Sequence, residues 1–135
     1  MSNGRIESGG IILQAQGAED RLLVEGYGDG GFRLLGRRFD GGVIVLPSGV
    51  YPVTAKTVTE LDISDFGRLL SADPKPELVL IGTGTAMALV PSAVRDALGQ
   101  AGVGCDMMDT GAAARTYNVL LMEDRHVAAL LLPVD

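Results

Sequence analysis

Three short apolar runs separated by two amphipathic stretches constrain the fold of this chain more than any other feature. The runs, at residues 78–81, 103–108 and 127–132, consist mainly of Val, Leu, Ile, Met and Ala. Residues 91–101 and 110–123, which lie between them, carry apolar side chains three and four positions apart, as one face of a helix requires. The order strand, helix, strand, helix, strand predicts a sheet with helices packed against it.

The N-terminal half predicts β structure. Residues 22–24 and 32–35 flank a glycine-rich turn at Gly28–Gly31, a spacing typical of a hairpin. Residues 43–46 are β-branched and fully apolar, which predicts a buried strand, and residues 51–54 predict another short one. We therefore expect a three-layer α/β arrangement with a central mixed β-sheet, a β-rich N-terminal half and a βαβαβ C-terminal half.

Capping residues mark the expected helices. Asp62 can cap a helix at Ile63–Leu70, and Thr110 can cap the last helix, because both side chains can accept a hydrogen bond from a free backbone amide. Pro91 suits the first turn of the helix that follows it, where its missing N–H removes no bond.

The length of 135 residues is that of one domain. We expect a single α/β domain at residues 21–135, preceded by a flexible or edge-strand arm at residues 1–20 in which Ile11–Leu13 can add to the sheet. The first seven residues lack the long apolar run of a signal peptide, and the run Val127–Pro133 is too short to span a bilayer. These features predict a cytoplasmic protein without membrane insertion.

Charge and composition argue against several functions. The net charge of −6 repels phosphate backbones, so we expect no nucleic-acid partner. Cys105 is the only cysteine and His126 the only histidine, which gives no confident nucleophile–base pair and no metal-ligand spacing. We expect Cys105 to be a buried strand residue, and we expect no cofactor and no metal.

A Gly-Thr-Gly sequence at residues 82–84 follows one of the predicted strands, where α/β folds bind ligands. Asp106 lies about where a ribose-binding acid would stand. The third glycine of a dinucleotide loop is replaced by Met87, and Pro91 places the helix start too far away. A tight turn is therefore the better interpretation than a nucleotide site.

The segment from Asp109 to Asn118 has the most unusual composition. Small residues begin it, and Arg115 and Asn118 lie three apart on one helix face, so the helix start is a candidate anion site. The alternative is structural: Arg115 pairs with Asp106 or Asp109, and Asn118 holds a loop backbone. The candidate ligand-binding residues, expected to line one shallow polar pocket, are Gly82, Thr83, Gly84, Thr110, Arg115 and Asn118.

The combination of these segments resembles a family of small uncharacterised α/β domains. The resemblance covers about residues 20–133 and is most specific at Ala113 to Leu120, with support from residues 43–47, 77–84 and 125–133. Members include the human mitochondrial complex I assembly factor three and an adipogenesis-associated protein. The resemblance implies a three-layer fold and no established reaction. Many relatives carry Cys where this chain has Ala114, a departure that counts against a thiol mechanism here.

Two hypotheses about function remain open. The first is a non-catalytic protein that binds another protein, as an assembly or accessory factor for a membrane-bound respiratory or secretory complex. The second is a small-ligand or anion-binding protein, or an enzyme, that uses the Gly82–Gly84 loop and Arg115. For the first, the expected surface is a hairpin that mixes aromatic and Arg side chains, types enriched at binding hot spots: Phe32, Arg33, Arg37, Arg38 and Phe39. The alternative for its three Arg residues is an ordinary solvated surface.

Overall fold

A computed structural model describes residues 21–135 in full and the backbone of residues 6–7 and 10–11. The rest of the predicted arm, including Ile12 and Leu13, lies outside the described residues. The described chain contains ten strands, in the order β1 Ile6–Glu7, β2 Gly10–Ile11, β3 Val24–Gly28, β4 Gly31–Leu34, β5 Arg37–Asp40, β6 Gly42–Leu46, β7 Gly49–Val53, β8 Leu78–Gly82, β9 Gly104–Met108 and β10 Val127–Leu131.

The helices differ in detail from the expected ones. Two 3₁₀ turns at Val58–Glu60 and Ile63–Phe66 lead into the short helix α1 at Gly67–Leu70, so the predicted helix at 63–70 begins as a 3₁₀ turn. The cap at Asp62 is as predicted: its side chain accepts from Ser64 N, and Asp65 accepts in return from Asp62 N.

The two longer helices are α2 at Ser92–Gln100 and α3 at Thr110–Met122. The N-cap of α3 is Asp109, which has extended backbone angles and accepts from Ala112 N. The expectation that Thr110 caps this helix is therefore wrong, because Thr110 is its first residue and its hydroxyl is bonded elsewhere.

A seven-stranded mixed sheet forms the centre of the fold, in the order β1-β2-β7-β6-β10-β8-β9. Strands β10, β8 and β9 run parallel, whereas β6 and β7 are antiparallel to their neighbours. The predicted α/β architecture is confirmed, and the three apolar runs of the C-terminal half are neighbouring strands in the middle and at one side of the sheet.

A second, three-stranded antiparallel sheet contains β3, β4 and β5. Its first turn has Asp29 and Gly30 at φ of 52° and 78°, the left-handed pair that a two-residue hairpin needs. The strands Val24–Gly28 and Gly31–Leu34 confirm the predicted hairpin.

Each face of the main sheet has its own hydrophobic core. On one face, α1 and α2 pack through Leu69, Val94 and Leu98 against side chains that include Val79 and Ile81. On the other face lie α3 and the small sheet, with Phe32, Leu34, Ala113 and Tyr117 buried. Because β6 lies between the two cores, every residue of Val43–Leu46 is buried, as its apolar run predicts. The small sheet is thereby held against the start and the middle of α3.

Candidate functional site

The Gly-Thr-Gly loop and the start of α3 are joined directly. Gly84 N donates to Thr110 Oγ1 over 2.9 Å, and Thr110 N donates to Gly84 O over 2.8 Å. Thr110 Oγ1 in turn donates to Leu132 O over 2.8 Å. A Cβ atom at Gly82 would lie 2.8 Å from Thr110 Cα, so only glycine permits this approach. The structure brings the loop and Thr110 together through hydrogen bonds to each other.

Thr83 organises the rest of this loop. Its hydroxyl donates to Ala86 O over 2.7 Å and accepts from Ala88 N over 3.1 Å, while its amide donates to Met108 O. The side chain is buried, and Met87, between the two bonded residues, is exposed. Thr83 therefore shapes the loop from within and presents no hydroxyl to solvent.

Two of the first three amides of α3 already have acceptors. Ala112 N donates to Asp109 Oδ1 over 2.9 Å, and Thr110 N is bonded to Gly84 O. The Asp109 carboxylate supplies the negative charge that a helix N-terminus favours. Anion binding at this helix start would thus depend on Arg115.

Asn118 and Tyr117 fasten the small sheet to α3. Asn118 Oδ1 accepts from Val24 N over 2.9 Å, and Asn118 Nδ2 donates to Val24 O over 2.8 Å. Tyr117 Oη donates to Leu22 O over 2.9 Å, and burial raises the pKa of this phenol well above its usual range. Asn118 therefore has a structural role, because its side chain holds the backbone of β3 at Val24. Asn118 lies two turns beyond Thr110, so the structure does not bring it to the glycine loop.

Tyr27 lies against Gly111 in the first turn of α3. A Cβ atom on Gly111 would overlap the Tyr27 hydroxyl, and it would lie 3.3 Å from Arg115 Nη1. Three residues of strand separate Val24 from Tyr27, and seven residues of helix separate Gly111 from Asn118. Both separations are about 10 Å, so β3 runs antiparallel along α3. Tyr27 is not among the residues predicted from the sequence, although a glycine inside a helix signals such a close approach.

Arg115 is exposed and makes no ion pair with any described carboxylate, Asp106 and Asp109 included. Its helix neighbours at one and two turns, Val119 and Met122, are 54% and 62% exposed. Positions 115, 119 and 122 form one stripe on a helix. We call Tyr27, Arg115, Val119 and Met122 the α3 surface.

The predicted hairpin surface is only partly available. Phe32 is fully buried in the core, so the expectation that it contacts a partner is wrong in this structure. It alternates with exposed Arg33 along β4, and the pleat turns successive side chains to opposite faces. Phe39 is half-buried, and Arg37 is exposed. Arg38 donates to Asp40 and to two carbonyls of the β3–β4 turn, which gives it a structural role.

The remaining reactive side chains lie apart from this region. Cys105 is half-buried on β9, where burial raises the pKa of its thiol. His126 precedes β10 at the other end of the main sheet. Within residues 21–135, no three His, Cys, Asp or Glu side chains cluster as a metal would require. None of the helices described there is long and apolar enough to cross a membrane.

Comparison with known proteins adds the following relationships. An uncharacterized protein of Rhodobacter capsulatus is 35% identical over 113 residues, 84% of this chain and 86% of that one. Human NADH dehydrogenase (ubiquinone) 1 alpha subcomplex assembly factor 3 is 29% identical over 90% of this chain, which spans 66% of the length of the human protein. The crystal structure of an outer membrane protein from Bartonella henselae superposes with a TM-score of 0.80 at 40% identity and covers 85% of this chain and 97% of that one.

A family model of proteins of unknown function (DUF498/DUF598) matches residues 24–132. The match runs from the first strand of the small sheet to the residue after β10, so it includes the small sheet, five of the seven strands of the main sheet and α3. The fold and these relatives agree with the resemblance seen in the sequence. The chain belongs to the DUF498/DUF598 family.

Proposed function

We propose that this protein is a non-catalytic binding protein, an assembly or accessory factor that contacts a protein partner through the α3 surface. One observation carries the proposal. The Arg115 guanidinium has no partner among the described residues. Its neighbours in the same segment do have packing or hydrogen-bonding roles: Ala113, Ala114, Tyr117 and Asn118. A long cationic side chain in so constrained a segment is available for an external contact.

The surroundings of Arg115 suit a protein partner. Tyr27, Val119 and Met122 are all exposed beside it. Tyr, Arg and Met are enriched at protein interfaces, since they combine large contact area with directional or polarisable groups. Because Gly111 has no side chain, the hydroxyl end of Tyr27 can lie directly against the helix, and this contact restrains the aromatic ring before binding. The expected partner presents an apolar patch with a carboxylate opposite Arg115.

The relatives support the kind of partner that we propose. The human relative is named for the assembly of NADH dehydrogenase, and this chain spans 66% of its length. For this chain we propose the same general role, which is to assist the assembly of a membrane-bound respiratory or secretory complex from the cytoplasmic side. The net charge of −6 disfavours nucleic acid as the partner.

The β4–β5 hairpin is a second candidate surface for the same function. Arg33, Arg37 and Phe39 remain partly or fully accessible there. It has less exposed apolar area than the α3 surface, because Phe32 is in the core. Substitutions made separately on each surface distinguish which of the two surfaces contacts the partner.

The anion-binding alternative rests on the same guanidinium. Arg115 is exposed and unpaired among described residues, but the nearby amides of Gly84, Thr110 and Ala112 have acceptors within the chain. An anion held by one exposed guanidinium would be bound weakly. A shift of the melting temperature by sulfate that is lost in Arg115→Ala would favour this alternative.

The test is affinity capture from the native organism with identification of co-purified proteins. Arg115→Glu and Val119→Asp are each expected to lose the partners of the unaltered protein while keeping its melting temperature. Lys75→Glu, an equal charge reversal on an exposed loop, is the matched control and should retain them. Loss with Arg37→Glu alone would move the interface to the hairpin. Full recovery with every variant would contradict both surfaces, and small-molecule turnover abolished by Arg115→Ala would contradict the non-catalytic role.

A further inference from the structure

A cavity of about 340 Å³ lies on the other core face, away from the α3 surface. It is formed where the β6–β7 turn, the end of α1 and the residue before β10 meet. The volume is at the lower end of the range for small-molecule sites. The residues that line it are Leu46, Pro47, Ser48, Tyr51, Arg68, Ser71, Ala72, Asp73, Pro74 and His126.

Arg68 supplies the permanent positive charge of this cavity. Its guanidinium carbon lies 4.1 Å from the centroid of the Tyr51 ring, a cation–π arrangement that orients the planar group. Tyr51 is itself held, because its hydroxyl is 2.9 Å from Ser48 Oγ and its ring is buried. Arg68 is exposed, as Arg115 is, but its guanidinium differs in being positioned by a fixed aromatic ring at the wall of a cavity.

No carboxylate among the described residues is ion-paired with Arg68. Asp73 lines the same cavity, yet the two side chains form no ion pair. The guanidinium therefore keeps its hydrogen-bond donors for an external group, and its fork matches the two oxygens of a carboxylate.

The charge balance selects the class of anion. One permanent cation and the carboxylate of Asp73 share the wall, so a doubly charged phosphate is disfavoured relative to a singly charged group. The remaining wall offers Leu46, Pro47 and Pro74 as apolar surface. Such a wall suits a short hydrocarbon or aromatic body.

From this geometry we infer that the cavity is a binding site for a small organic monocarboxylate, with the carboxylate on Arg68 and the apolar body against the two prolines. Ser48 and His126 are placed around the same space as further hydrogen-bonding groups, whereas the Ser71 hydroxyl already donates to Arg68 O. The site is separate from the α3 surface, so an experiment that contradicts one of the two proposals leaves the other unaffected.

Titration of the ¹⁵N-labelled protein with hexanoate, followed by amide chemical shifts, tests the site. We expect saturable shifts at Ser48, Ser71 and His126. Arg68→Gln should raise the dissociation constant for hexanoate by about tenfold or more, because it removes a charged hydrogen-bonded pair. Arg33→Gln, on the small sheet, is the matched control and should leave it unchanged. Preserved amide dispersion shows that each variant is folded.

Two further probes separate the chemistry of the ligand. Hexanol, which has the chain without the charge, should cause much weaker shifts, and inorganic phosphate should bind no more tightly than hexanoate. The inference is overturned if hexanoate causes no saturable shift at these amides, or if Arg68→Gln binds it as well as the unaltered protein. Equal binding of hexanol, or tighter binding of phosphate, overturns the assignment to a monocarboxylate.

Discussion

The side chain of Asn118 takes the place of a neighbouring strand for Val24: it accepts from the Val24 amide and donates to the Val24 carbonyl. A single side chain thus completes both backbone hydrogen bonds at a point where β3 has no second neighbouring strand among the described residues. The two groups are 94 residues apart in the chain. This link explains why an amide side chain stands in the middle of α3.

Asn118→Ala and Asn118→Asp separate the two halves of this link. Alanine leaves both backbone groups of Val24 without a partner, which should lower the free energy of unfolding by about 2–4 kcal/mol. Aspartate still accepts from the amide but faces the carbonyl with a second acceptor, so it should not restore the stability. Urea unfolding of both variants is the measurement. Stability equal to that of the unaltered protein in either variant would show that water replaces the bond.

Thr110→Val tests the buried hydroxyl at the start of α3. The substitution keeps the shape and removes an acceptor for Gly84 N and a donor to Leu132 O. We expect a loss of about 2–4 kcal/mol in the free energy of unfolding. Thr116→Val, the same change on a less buried position of the same helix, should cost about 0.5 kcal/mol or less. Equal costs at the two positions would contradict the proposed network.

Gly111→Ala and Tyr27→Ala should be strongly non-additive. With Tyr27 present, the added Cβ displaces the phenol, and this offsets the gain of about 1 kcal/mol that alanine brings to a helix. In the Tyr27→Ala background, that gain should appear in full. A double-mutant cycle measured by chemical denaturation checks it. If Gly111→Ala is equally stabilising in both backgrounds, Tyr27 does not lie on the helix.

Tyr117 should make stability fall at alkaline pH. Burial raises the pKa of Tyr117 above its ordinary value of 10, so the folded protein keeps the proton that the unfolded chain loses. Its contribution is fully present below about pH 10 and is lost above it, at about 1.4 kcal/mol per pH unit until the folded-state pKa is reached. Denaturant unfolding at several pH values measures the slope. The stability of Tyr117→Phe should fall less steeply with pH. An unchanged slope would show that the pH dependence comes from another group.

Local patterns in the sequence predict most of the fold, because the spacing and burial of apolar residues decide which segments form strands and which form helices. The apolar runs at residues 43–46, 78–81 and 127–132 form strands, because a fully apolar run of this length is stable as a strand whose two faces are both buried. The burial of Phe32 also has a signal in the sequence: Phe32 alternates with Arg33 and shares its face of the strand with Leu34, which also lies in the core.

Other features depend on contacts that the sequence does not display. Asp109 and Thr110 are both good capping residues, and only the approach of Gly84 decides that Thr110 enters the helix. The bonds of Tyr117 and Asn118 to residues 22 and 24 join segments almost a hundred residues apart. For the candidate site, the sequence identifies the segment, but the structure separates its anchoring residues from Arg115.

Exposed sheet edges invite pairing with other molecules and so promote aggregation. The small sheet has β3 and β5 at its two edges. On β3, Asn118 occupies both backbone groups of Val24, which leaves an incoming strand no complementary partner at that point. On β5, Arg37, Arg38 and Asp40 make the edge highly charged. The side chain that fastens the small sheet to α3 therefore also protects the folded protein against edge-to-edge aggregation.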